Sequence, residues 1–170
     1  MRNNTPAITI RPCCLEDTPR VVALFRASVM SIARRDYTEA QLRAWAPDDI
    51  DSETCARRRT AKSTWIAEIG AHIAGFSDLE ADGHIDMQYV HPAFQRRGVA
   101  RALLAYIEDV ARGRGVGRLY TEASITARPV FENMGFRVLG PQMVTVRGES
   151  MKNYRMEKQL VPSAKSGMPP

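Results

Sequence analysis

Three cysteines in 170 residues, Cys13, Cys14 and Cys55, exclude a disulfide framework. Two of them are adjacent, adjacent cysteines rarely pair, and no metal-ligand spacing is present, so no metal is expected. No apolar run approaches the ~20 residues a helix needs to cross a bilayer, which argues against a membrane partner. The opening MRNNTPAITIRP lacks the apolar core of a secretory signal, and a reduced, cytoplasmic protein is expected. No GK[ST] follows a glycine loop, which excludes a P-loop nucleotidase. There is no helix-turn-helix signature and no basic stripe interleaved with aromatics, so nucleic acid is not expected as a partner. Lys+Arg nevertheless total 24 against 19 Asp+Glu, a formal charge of +5. Most of these cations are arginines, whose planar fork suits phosphate.

Hydrophobic residues make up 44%, enough for a core without staples, and the length suits one domain. We expect a single domain over residues 1–160 and a disordered tail, VPSAKSGMPP, at 161–170. AITIRPC alternates like a first strand. EDTPRVVALFRASVMSIARR reads as a helix capped by Asp17 or Thr18, with Val22, Phe25, Val29 and Ile32 on its apolar face. YTEAQLRAWAP holds a short helix with Thr38 and Gln41 spaced as a capping box, and DSETCARRRT a third. STWIAEI, HIAGFSDLE and HIDMQYV read as a β-meander, with a tight turn at 81–83. A helix from about Val99 to Arg112 carries the stripe Val99, Leu103, Tyr106, Ile107 and Val110. A strand at RLYTEA, a helix near ARPVFENMG and strands near FRVLGPQMV and KNYRMEKQL complete an α/β (α+β) chain, one mixed sheet flanked by helices.

The stretch YVHPAFQRRGVARALL joins a strand to a helix that starts without a Ser, Thr, Asp or Asn cap. Its first backbone N–H groups have no obvious local acceptor, while Arg96, Arg97 and Arg101 crowd them. A glycine turn at Gly98 lets an anion approach the backbone, and a ligand phosphate would serve as the cap.

The spacing Gln95-x-x-Gly98-x-Ala100 resembles the pyrophosphate motif of the GNAT superfamily of acyl-CoA-dependent N-acetyltransferases. SITARPVFENMGF resembles a second segment of that family, with Ala127, Gly135 and Phe136 in place. The element order agrees over residues 7 to 160, and DYTEAQLRAWAP with VRGESMKNYRMEK resembles a YafP-like bacterial branch. The resemblance implies a largely antiparallel GNAT fold and acetyl-CoA as cosubstrate. It implies transfer to a primary amine, expected to belong to a small molecule, by direct attack. It places the acetyl carbonyl at the Val90 N–H beside Tyr89. Gln95, Arg96, Arg97, Gly98, Val99, Ala100 and Arg101 would hold the pyrophosphate, and Ser124 would take the family's asparagine position. Alternation on HIDMQYV places His84, Asp86 and Gln88 on one face. The resemblance, in which the base often comes from this strand, implies Asp86 first and His84 second as the proton acceptor, with Glu80, near the hairpin, third. Phe131 stands where the family carries its proton-donating tyrosine, which leaves Tyr154 or water for that role. For the acceptor, Tyr37 and Trp45 suit an aromatic wall, and Arg34 and Arg35 suit a carboxylate. A protein N-acetyltransferase and a non-catalytic acyl-CoA-binding domain remain open, as do monomer and homodimer.

Overall fold

The computed structural model describes residues 7–60 and 62–161. The expected tail therefore lies outside the described residues apart from Val161, as do residues 1–6. The strands are β1 (Ile8–Pro12), β2 (Ser63–Ile69), β3 (His72–Leu79), β4 (Gln88–Val90), β5 (Arg118–Ser124), β6 (Arg137–Val146) and β7 (Glu149–Gln159). The helices are α1 (Thr18–Ile32), α2 (Glu39–Trp45), α3 (Ser52–Thr60), α4 (Val99–Gly113) and α5 (Arg128–Asn133).

The single mixed sheet divides into two antiparallel sheets, ordered β1-β2-β3-β4 and β5-β7-β6. They meet where His84 bridges Tyr120 in parallel. The Ile85 N–H donates to the Tyr120 carbonyl at 2.9 Å, and the Tyr120 N–H to the Gly83 carbonyl at 3.1 Å. Beyond that seam the β-pairing stops, and β4 and β5 border a gap. Gly83 makes the seam possible. Its φ is +95°, and a Cβ there would lie 2.0 Å from the Arg118 carbonyl oxygen, so no larger residue fits.

The strand read from HIDMQYV shrinks to Gln88–Val90. The cause is Asp78, a β3 side chain 2% exposed. Its Oδ1 accepts the N–H groups of Asp86 and Met87, each at 2.9 Å. This side chain stands in for the ladder, and residues 84–87 leave the regular strand. Strict alternation therefore does not govern His84 and Asp86.

Helix α1 also differs from the sequence reading. Asp17 occupies the cap position without a side-chain cap bond. Its carboxylate instead takes Arg11, at 2.8 and 2.9 Å, and the Cys14 N–H. The buried face is Val21, Leu24, Ser28 and Val29, rotated from the expected stripe because the sheet covers it on one side. Helix α2 carries the Thr38–Gln41 capping box as read. Helix α4 buries Val99, Leu103, Leu104 and Ile107, at roughly 1.5–3 kcal/mol each. Gly75 on β3 lets α4 pack closely: a Cβ there would lie 2.8 Å from both Val99 Cγ1 and the Tyr89 carbonyl oxygen.

Candidate active site

The gap between β4 and β5 opens into a cleft of about 860 Å³. One wall is β4 with the turn into α4, from Gln88 and Val90 to Gly98 and Arg101. The facing wall is the end of β5 and α5, with Ser124, Thr126 and Phe131. A third side comes from the C-terminal half of α1 and from Trp45.

The turn into α4 has no side-chain cap: Gly98 is the cap residue, at φ +80° and ψ 8°. The space where its Cβ would stand is open to 4 Å. Arg96 is also left-handed, at φ +60°. Two left-handed residues around the start of a 15-residue helix turn backbone N–H groups outward. The positive end of the helix dipole adds to the charge of Arg96 and Arg101. This cradle fits a pyrophosphate.

Strand β4 fits the thioester end. The His91 N–H donates to the Ala74 carbonyl of β3 at 2.8 Å. Successive N–H groups along a strand point to opposite edges, so the Val90 N–H faces the cleft. Gln88 ties β4 to α4, its Nε2 donating to the Ala100 carbonyl at 3.3 Å. Its Oε1 is buried without a partner among the described residues, an acceptor left for a ligand N–H.

The residues read from sequence are placed as follows. Tyr89, Val90, Gln95, Arg96, Gly98, Val99, Ala100 and Arg101 line one wall. Ser124 lines the other, its Oγ accepting the Ala127 N–H at 3.0 Å. Arg97 is not part of the lining and packs over the Phe94 ring, 5.3 Å from its centroid. The Tyr89 hydroxyl accepts the Trp45 indole N–H at 3.2 Å, and burial raises its pKa.

His84, Asp86 and Glu80 are not among the lining residues. They form a network of their own: Lys62 Nζ lies 2.6 Å from Glu80 and 2.7 Å from Asp86. His84 touches Glu80 at 3.2 Å and Glu122 at 2.6 Å, with its ring stacked on Tyr120. Burial opposes its protonation, but Glu122 and Glu80 raise its pKa overall. Tyr154 is also outside the lining, its ring covered by Arg128 at 4.6 Å and Lys152 at 5.4 Å. Hydrogen bonding to these cations lowers its pKa.

Tyr37 is a buried brace rather than a wall. Its hydroxyl donates to the Lys152 carbonyl at 2.7 Å and accepts the Ile125 N–H at 2.9 Å. Arg34 lies outside the lining, whereas Arg35 is within it. Ser28, Ile32, Ala33, Thr126 and Asn133 are lining residues that sequence reasoning did not single out. Only Ile32 carried a signal, as the end of the α1 stripe.

Splayed strands beside an uncapped helix, with a free strand N–H facing the gap, are the architecture of a coenzyme A-dependent acyltransferase. A family model described as an acetyltransferase (GNAT) domain matches residues 33–159, and the chain belongs to that family. It is 36% identical over 140 residues to the uncharacterized N-acetyltransferase YafP of Escherichia coli K12, covering 82% of this chain and 88% of that protein. The crystal structure of a GCN5-related N-acetyltransferase from Rhodopseudomonas palustris superposes with a TM-score of 0.87 at 35% identity. That match covers 94% of this chain and 99% of that one. YncA of Salmonella typhimurium, a putative acetyltransferase solved with its cofactor acetyl-CoA, shares the fold with a TM-score of 0.70 at 20% identity. It covers 94% and 99% of the two chains. The protein is an acetyl-CoA-dependent N-acetyltransferase of this family.

Proposed function

We propose that the protein acetylates the primary amine of a small molecule by direct attack, without a covalent enzyme intermediate. The observation that carries this reading is one cleft holding both an anion cradle at Gly98 and an outward Val90 N–H. Acetyl-CoA supplies an activated acetyl group as a thioester. The backbone from Gln95 to Arg101 anchors the pyrophosphate. Gln88 Oε1 accepts an N–H from the bound ligand, and the Val90 N–H donates to the oxygen on which negative charge develops. Alignment of two reactants in one cleft provides much of the acceleration.

The cleft lining contains no Asp, Glu, His, Cys or Lys among the described residues. We therefore assign proton removal from the amine to water, and protonation of the departing thiolate to water. A thiol of pKa near ~8.5 leaves without an obligatory acid. Asp86 and His84, in their network with Lys62 and Glu122, take structural roles in this reading, and Tyr154 joins them outside the reaction.

The test is Gly98→Asp. Aspartate tolerates a left-handed backbone better than most residues, so the fold survives while a carboxylate enters the phosphate cradle. Acetyl-CoA binding by calorimetry is expected to be lost, with circular dichroism unchanged. Unaltered affinity overturns the cradle. Thiol release with peptide N-termini but with no free small amine would favour a protein acceptor instead.

A further inference from the structure

We propose that the acceptor is an amino acid with an apolar side chain, its carboxylate held by Arg35. The inference rests on the acetyltransfer reading above and names the chemistry of its second substrate.

Three observations carry it. The acceptor side of the cleft is mostly apolar: Val29 and Ile32 come from α1, Ala33 from the 3₁₀ turn that follows it, and Trp45 closes it, with Ser28 the polar α1 residue beside them. Trp45 is fixed by its N–H bond to the Tyr89 hydroxyl at 3.2 Å and by an edge contact with Tyr37 at 5.5 Å. Arg35 ends the 3₁₀ turn Ala33–Arg35 that follows α1, where positions three apart eclipse, and lines the same cleft as Ile32. Asp36 restrains it from the Nε side at 3.4 Å, and Asp36 is itself held by Thr126 Oγ1 at 2.6 Å. That contact leaves the two terminal amino groups of the guanidinium outside it, the geometry for a bidentate carboxylate.

The third observation concerns charge. Arg35, Arg96 and Arg101 line the cleft, and no lining residue among those described is a carboxylate. A polyamine or aminoglycoside would bring a second ammonium against a positive wall whose nearest carboxylate, Asp36, is already engaged by Arg35 and by Thr126 Oγ1. Asp86, close by in sequence to Gln88, is already bonded to Lys62. An amino acid brings one anion for the terminal amino groups of Arg35, which lie outside its Nε contact with Asp36, and an apolar body for the wall of Val29, Ile32 and Trp45. The same positive field lowers the pKa of the bound ammonium, favouring the free amine that must attack. In the reaction the amine nitrogen bonds to the acetyl carbon and the C–S bond breaks. The ammonium gives up two protons in all, one to solvent and one, through water, to the thiolate.

The experiment uses the full chain. Acetyl-CoA binding is measured first by calorimetry. Thiol release is then followed with leucine, methionine and phenylalanine, each beside its decarboxylated amine, and with spermidine and glucosamine 6-phosphate. The amino acids are expected to exceed their amines by at least roughly tenfold in kcat/KM, a modest ratio because Arg35 is solvent-accessible. Arg35→Gln removes that ratio through KM, Arg35→Lys restores part of it, and Arg43→Gln on the outer face of α2 changes nothing. The proposal is overturned if the decarboxylated amines, spermidine or the sugar phosphate serve as well or better. It is also overturned if no amino acid releases thiol while acetyl-CoA binds, which leaves the cofactor cradle standing. Absence of acetyl-CoA binding in the unaltered protein would instead remove the reading beneath it.

Discussion

The His91 amide donates to the Ala74 carbonyl at 2.8 Å, and that bond fixes the direction of the amide before it. Val90 takes no part in the β3 ladder on its N–H side, so its donor is free for the cleft. Val90→Pro deletes this donor and no ladder bond. Losing one preorganised donor to a developing oxyanion lowers kcat by about 10²–10³. Acetyl-CoA affinity should change far less, since the pyrophosphate cradle is untouched. Steady-state kinetics beside calorimetry check this, with circular dichroism to confirm folding. Parallel losses in both would return Val90 to a packing role.

Gly75 couples the sheet to the cradle. Alanine there would put its Cβ 2.8 Å from the Tyr89 carbonyl and 2.8 Å from Val99 Cγ1, with Leu103 Cδ1 at 3.1 Å. Either β4 or the first turn of α4 must move. Overpacking of this kind costs about 1–3 kcal/mol, and the displacement falls on both halves of the cofactor site. Gly75→Ala should therefore weaken acetyl-CoA binding as well as lower the urea midpoint. Gly113→Ala is the control. It ends the same helix with open space around its Cβ, and should stabilise by up to about 0.5–1 kcal/mol.

What the sequence disclosed follows the range of the interactions involved. The Thr38–Gln41 box, the α4 stripe and the uncapped turn at Gly98 are local, so spacing alone exposed them. The break in HIDMQYV was not local. It depends on Asp78, eight residues before Asp86, turning inward to take two backbone donors. Without that contact an alternating stretch reads as a strand, and His84 and Asp86 read as facing the reaction. The β6–β7 hairpin was also underread. Arg147 and Gly148 both have positive φ, 45° and 84°, the signature of a type I′ turn, but arginine at its first position gives no compositional cue. The α1 side of the cleft was legible only in part, because Trp45 and Arg35 announce themselves by chemistry whereas Ser28 and Ala33 do not. Tyr37 shows the converse: an aromatic suited to a pocket is used as a brace between β7 and the loop after β5.

Asp78 also gives a pH signature. Burial pushes its carboxyl up to about 6 from the ordinary 3.8, with the charge of Asp86 adding and the Met87 N–H and Lys62 opposing. The folded protein thus keeps a proton that the unfolded chain has already lost. Folding takes up that proton between about pH 4 and 6, and this group's contribution to stability falls as pH rises through that window. By pH 7 the difference amounts to roughly 3 kcal/mol. Asparagine keeps an acceptor oxygen for the Asp86 and Met87 amides without the buried charge. Asp78→Asn should gain stability relative to the unaltered protein from pH 4 to pH 7, read as the difference in urea midpoints. A difference independent of pH would mean that the carboxylate is already solvated or fully compensated.

Phe131 poses the sharpest mechanistic question, because it stands at a cleft wall where a hydroxyl would be useful. Its ring is 2% exposed and meets Phe136 edge-on at 5.0 Å, so it is also a core residue. Phe131→Tyr adds one oxygen without changing the ring, at a modest cost in stability if that oxygen points into the cleft. If thiolate departure limits turnover and water is the present donor, the new hydroxyl should raise kcat several-fold, with the gain largest where water protonates the thiolate slowly. Tyr154 is the competing donor. Its ring lies between Arg128 and Lys152, away from the lining, so Tyr154→Phe should leave kcat within about twofold. A fall of 10²-fold or more in Tyr154→Phe, reversed when Phe131→Tyr is added, would show that both positions reach the same sulfur and that a tyrosine, not water, protonates it. Measured with a verified acceptor, the four kcat values for the two single variants, the double variant and the unaltered protein decide between these donors.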